Sequence, residues 1–221
     1  MSYDAVAFDL DGTLLERTQD LAAVYAETFE RVGVEPFGEP SALWPLLDGP
    51  PDPDDRVGHL GAGFARLAAR HGRTDVDPLA LAAAFLEAVD NTQVAFRPGA
   101  EAALASAREA VPTGLLTNGP REYQAPKVET LGLDDRVDAV VYAGDLPRRK
   151  PHAAPFERLL DSLGTPPERT LYVGDSLGHD VAGAQNAGLG VAWLSGGEDP
   201  DPYRPDHVLS SLAEVRDLLD A

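Results

Sequence analysis

Asp9 and Asp11 stand two residues apart at the end of the apolar run Ala5-Val6-Ala7-Phe8, with Gly12, Thr13 and Leu14 directly behind them. On a strand, side chains two apart point to the same side. A turn at Gly12 then lets both carboxylates converge above the sheet edge. Two carboxylates that close repel unless a cation or a shared proton relieves them. That is costly for a fold and useful for a reaction. The plainer alternative is a strand end whose acids cap the following helix, and three further segments weigh against it. Gly114-Leu115-Leu116-Thr117-Asn118-Gly119 is an apolar strand ending in a hydroxyl residue and a turn. Arg148-Arg149-Lys150-Pro151 precedes a predicted helix, and Leu171-Tyr172-Val173-Gly174-Asp175-Ser176-Leu177-Gly178-His179-Asp180 is a third strand running into two more acids. In an open parallel sheet, ligands sit outside the carboxyl ends of the strands. All four segments would deliver their polar groups there.

In their order and spacing these segments resemble the four motifs of the haloacid dehalogenase-like (HAD) superfamily, over residues 3–16 and 97–196. The likeness extends to the phosphoglycolate-phosphatase-like branch, with one departure. Leu15-Glu16-Arg17-Thr18 stands where many of those proteins carry Asp-Ser. The resemblance implies a hydrolase acting on phosphoric monoesters, a phosphatase for a small phosphorylated metabolite working through an aspartyl-phosphate. On that resemblance Asp9 is the nucleophile, a carboxylate ionised at neutral pH whose acyl phosphate hydrolyses readily. Asp11 is the acid/base, protonating the leaving alcohol and then taking a proton from water. Thr117 offers a hydroxyl and Asn118 a backbone N–H to the phosphoryl group, while Lys150 supplies fixed positive charge. Mg²⁺ is the expected metal, because every available donor is a hard oxygen and the chain has no cysteine. Its expected ligands are Asp9, the backbone carbonyl of Asp11, and Asp175. Asp180 is expected to act indirectly, through water or by orienting Lys150, or else to serve as an acid at a helix N-terminus. Arg17, Arg56 and His59 are candidates to read the substrate.

His59, His71, His152, His179 and His207 show no metal-ligand spacing, and Arg148 and Arg149 read as a solvated charge run. A phosphomutase on the same motifs is the second enzymatic reading, and a non-catalytic binding protein the third. Such binding relatives usually lose an aspartate or the lysine, and neither is missing here. Asp11 speaks against a dehalogenase or a phosphonate hydrolase, since neither branch needs this acid.

Alternating strands and helices must hold these groups in place. The pattern predicts an α/β fold, a Rossmann-like doubly wound parallel-sheet core with an inserted α-helical cap domain. Strands are predicted over 4–9, 113–117, 138–143, 170–174, 190–194 and 206–209. Helices are predicted over 100–110, 121–131, 153–163, 179–187 and 211–219, with Lys127 on an exposed helix face. Between 17 and 96 apolar residues recur only at helical spacing, as in Leu21, Val24, Tyr25, Thr28, Phe29 and Val32. Asp48–Asp55 breaks that interval with proline and charge. The expected division is a core of 1–16 and 97–221 and a C1-type cap of 17–96, without a strand.

Acids outnumber bases 37 to 18 for a net charge of −19, and only Lys127 and Lys150 are lysine. A field of that sign repels nucleic acid and anionic membranes, and it repels a phosphate ester until a cation intervenes. Excess acid, scarce lysine and no cysteine suit a salt-rich, halophilic cytoplasm. No apolar run approaches the roughly 20 residues that span a bilayer, and no basic, apolar leader precedes the first strand. A cytoplasmic monomer or homodimer is the expectation.

Overall fold

Alternate residues of the first strand, β1 (Ala5–Phe8), enter different apolar cores. Val6 and Phe8 join Leu115, Leu171, Val173 and Ala192 on one face, while Ala7 joins Leu116, Tyr172, Val191 and Trp193 on the other. This two-residue alternation, apolar on both sides, is what a parallel sheet covered by helices requires. The structure is a computed structural model that describes residues 3–47 and 55–219. The break expected at 48–55 falls, apart from Asp55, outside the described residues.

The chain divides into two compact units, Met1–Arg17 with Val94–Ala221, and Thr18–Gln93. The first contains a six-stranded parallel sheet. Its order is β5 (Ala139–Tyr142), β4 (Thr113–Thr117), β1, β6 (Thr170–Gly174), β7 (Gly190–Leu194) and β8 (His207–Leu209). The chain winds outward from β1 through β4 to β5, then returns to the opposite side of β1 at β6, a topological switch point. The helices α4 (Ala100–Ala110) and α8 (Val215–Leu219) cover the face of Val6 and Phe8, where α5 (Arg121–Thr130) also inserts Val128. The helices α6 (Ala153–Leu163) and α7 (Ala182–Asn186) cover the other, where Phe156 meets Tyr172 edge to face at 5.0 Å.

The second unit is helical. Its helices α1 (Leu21–Val32), α2 (Arg56–Arg70) and α3 (Pro78–Ala88) pack around Tyr25, Phe29, Phe64 and Phe85. Each is N-capped by an aspartate: Asp20 accepts from Ala22 N, Asp55 from Gly58 N, and Asp77 from Leu79 N. Part of the acid excess is therefore cap chemistry, satisfying amides that a helix start leaves unpaired. Among the described residues no helix is long and apolar enough to cross a membrane.

Two local expectations need correcting. The interval 17–96 does end in a strand, β3 (Val94–Phe96), paired antiparallel with β2 (Leu15–Arg17), Leu15 opposite Phe96 and Arg17 opposite Val94. Three residues are too few to show a period, so pairing rather than pattern defines this ribbon. The helix predicted from 179 begins instead as a π turn, Leu177–Val181, in which Asp180 N and Val181 N both donate to Ser176 O, at 2.8 and 3.1 Å.

Candidate functional site

Asp9 is the first residue past β1, and its N–H still donates to Val173 O of β6 at 2.9 Å. The ladder thus fixes the backbone up to a carboxylate whose side chain is only 10% exposed. Three residues on, the chain reverses at Gly12 with φ +83, a left-handed conformation open to glycine at little cost. A Cβ on Gly12 would lie 2.5 Å from Asp175 Oδ2. The absent side chain is the space that lets the acid after β6 approach the acid after β1. Thr13 Oγ1 sits between them, 3.4 Å from Asp9 Oδ2 and 3.1 Å from Asp175 Oδ1. Trp193 Nε1 holds the Asp175 backbone by donating to its carbonyl at 2.8 Å.

Lys150 is buried at the centre of the group. Its Nζ lies 2.6 Å from Asp9 Oδ1, 2.7 Å from Asp180 Oδ1, 3.0 Å from the Tyr172 hydroxyl and 3.2 Å from Leu116 O. An ammonium has three donors, so four acceptors saturate it. Asn118 fixes the backbone of this lysine, its Nδ2 donating to Lys150 O at 3.1 Å and its Oδ1 accepting from Lys150 N at 2.8 Å. The Lys150–Pro151 peptide is cis. Asp180 has both oxygens engaged, Oδ1 by Lys150 and Oδ2 by Ser176 N at 2.9 Å. It belongs to the Lys150 network and not merely to a helix start.

Desolvation is the first electrostatic fact here. It pushes the Asp9 carboxyl up to about 7 against the pull of Lys150. Asp175 is raised too, by burial and then by Asp180. Burial would lower Lys150, yet the charges facing it, Asp9 foremost, hold it well above the ordinary lysine value. Burial first, and then the neighbouring carboxylates, drive Asp9 and Asp175 toward protonation.

Asp11 is held separately. Its Oδ1 accepts from Lys127 Nζ at 2.7 Å and its Oδ2 from Gln124 Nε2 at 2.7 Å. Gln124 Nε2 also lies 2.9 Å from Thr117 Oγ1 at the end of β4. Lys127 is therefore not on an exposed face: its side chain is 7% exposed, and desolvation lowers its pKa despite Asp11. Gln124, Lys127 and Val128 follow the helical three-and-four spacing and are all buried. That stripe, in a chain with two lysines, was the available signal. Tyr172 gave none beyond a buried strand position.

The other candidates lie on other elements. Arg17 ends β2 in the first unit, while Arg56 and His59 lie in the first turn of α2 in the second unit. Arg148 is exposed. His152 caps α6, His179 lies against Ser176 and His207 against Tyr3, so these rings have protein partners.

Asp9, Asp175 and Asp180 each offer a carboxylate oxygen within 4.8 Å of the others'. These are hard donors suited to a small divalent cation, gathered around a glycine-made gap. The residues present fit such an ion.

Residues 3–188 match the model of the haloacid dehalogenase-like hydrolase family. The chain is 31% identical to a phosphoglycolate phosphatase of Chromobacterium violaceum, covering 97% of this chain and 96% of that protein. It is 27% identical to the pyrophosphatase PpaX of Halalkalibacterium halodurans, over 99% and 98% of the two. The crystal structure of a predicted phosphoglycolate phosphatase from Haemophilus somnus superposes with a TM-score of 0.76 at 22% identity, covering 98% of this chain and 97% of the other.

Proposed function

The chain belongs to the haloacid dehalogenase-like hydrolases, in their phosphoglycolate-phosphatase-like branch, and from this we propose that it is a Mg²⁺-dependent phosphatase releasing phosphate from a small phosphorylated metabolite. The observation that carries this reading is the buried Lys150 ammonium bridging Asp9 and Asp180 beside Asp175 at the sheet's switch point. A carboxylate oxygen of Asp9 attacks phosphorus in line, and the bond to the ester oxygen breaks as Asp11 protonates it. Water then attacks the aspartyl-phosphate while Asp11 takes its proton, freeing phosphate and restoring Asp9. Thr117 Oγ1 and the Asn118 N–H face the phosphoryl oxygens. Lys150, oriented by Asp180 and Tyr172, keeps one positive charge against Asp9 through both steps. Asp9, Asp175 and the backbone carbonyl of Asp11 would hold Mg²⁺, which when bound supplies positive charge to the phosphoryl oxygens.

In the same reading Thr18–Gln93 is a C1-type cap that selects the substrate, with Arg56, His59 and the core's Arg17 as its candidate readers. The relatives named above are a phosphoglycolate phosphatase and a pyrophosphatase, so different phosphorylated substrates occur among similar chains. The acid excess and lack of cysteine support a salt-rich cytoplasm as the working environment.

The test is phosphate release from 4-nitrophenyl phosphate with Mg²⁺ and with excess chelator, followed by mass spectrometry of quenched enzyme. Turnover should stop in chelator, and phosphate should be found on Asp9. Full activity in chelator overturns the metal assignment, and phosphate on another residue overturns the roles.

A further inference from the structure

Each of the two lysines in this chain is buried, and each is paired with one member of the Asp9/Asp11 couple. Lys150 neutralises Asp9 inside the fold. Lys127 does something different, because its partner is open: the Asp11 side chain is 46% exposed while that of Lys127 is 7% exposed. Stability does not account for this. Ion pairs reaching solvent are worth little, and lysine is seldom fully buried. A buried ammonium spent on a half-exposed carboxylate fixes where that carboxylate is.

The second tether points the same way. Gln124, three residues earlier on the same face of α5, takes the other Asp11 oxygen, so the carboxylate is gripped at both ends and cannot change rotamer without losing a contact. The same Gln124 amide reaches Thr117 Oγ1 at 2.9 Å. One helix face therefore sets the spacing between Asp11 and the hydroxyl at the end of β4. Gln124 Oε1 is buried with no hydrogen-bond partner among the described residues. A glutamine that leaves its acceptor idle, at a real cost, is oriented for donation.

We infer that Lys127 and Gln124 are positioning residues, clamping the Asp11 carboxylate where it meets the leaving-group oxygen. The inference rests on the proposed role of Asp11 as the acid. A displaced acid matters most when the leaving group needs a proton, so the signature is selectivity between leaving groups.

The experiment compares kcat/KM on phenyl phosphate and 4-nitrophenyl phosphate, esters alike in shape but unlike in their demand for protonation. Lys127→Met should lose at least about tenfold on phenyl phosphate, part of the roughly 10²–10⁴ that a general acid supplies. On 4-nitrophenyl phosphate it should lose less than about threefold. Gln124→Met, which changes no charge, should skew the ratio in the same direction, and it decides the matter if Lys127→Met does not fold. Asp11→Ala is the reference and should skew it most. If Asp11→Ala discriminates but neither tether variant does, or the tether variants lose equally on both esters, the clamp is overturned. If Asp11→Ala itself does not discriminate, the acid role fails and the clamp with it.

Discussion

Removing the Lys150 ammonium strands Asp9 and Asp180 together, and both are buried. Breaking a buried pair from one side costs about 3–5 kcal/mol. The low end applies, because Asp9, already raised to about 7, can take up a proton. Lys150→Met should therefore lower the melting temperature by roughly 6 °C or more and the rate by at least about 10²-fold, the scale of one preorganised electrostatic group. Adding Asp180→Asn should recover stability but not rate. A single variant that melts like the parent would show that Lys150 is not the counter-charge. Lys150 was legible in the sequence because a rare lysine before proline stood between two strand-end motifs. Lys127 was only weakly legible: its stripe with Gln124 and Val128 was a signal, but a helix with charge on several faces offers competing ones. Only the placement of α5 against β4 brings it to Asp11.

Gly12 shows how an element boundary carries chemistry. Its left-handed turn reverses the chain between β1 and β2, and its missing Cβ is the gap filled by Asp175 Oδ2. Gly12→Ala would impose a left-handed alanine, about 1–2 kcal/mol, and would push Asp175 aside. The expected result is a higher Mg²⁺ concentration for half-maximal activity together with a lower melting temperature. A magnesium titration unchanged from the parent would separate the gap from metal binding. The strands Thr113–Thr117, Thr170–Gly174 and Gly190–Leu194 were readable residue for residue, since each is an apolar run bounded by turn residues. The ribbon of β2 and β3 and the π turn at Leu177–Val181 were not. Both are choices of hydrogen-bond partner, and side-chain periodicity does not encode those. The π turn matters to the site because it brings Asp180 back under Ser176 N and onto Lys150.

The net charge of −19 acts on the molecule as a whole. Several acids have local work: Asp20, Asp55 and Asp77 cap helices, Asp138 accepts from Thr113 N and Asp206 from Val191 N. Exposed pairs such as Arg204–Asp201 lose strength in salt, but each is worth little. With 37 acids against 18 bases, repulsion outweighs those pairs. The melting temperature should rise from dilute buffer to about 1 M KCl, where the screening length falls to about 3 Å. A steady fall in a thermal shift series would defeat the salt-adaptation reading and leave the site untouched. The arginine-dominated basic set has another outcome. With Lys127 and Lys150 both buried, neither lysine amine of the folded chain is open to an acylating reagent. Acylation located on Lys127 or Lys150 by peptide mass would then register each time α5 or the Lys150 segment swings open, using the protein's own scarce lysines as the probe.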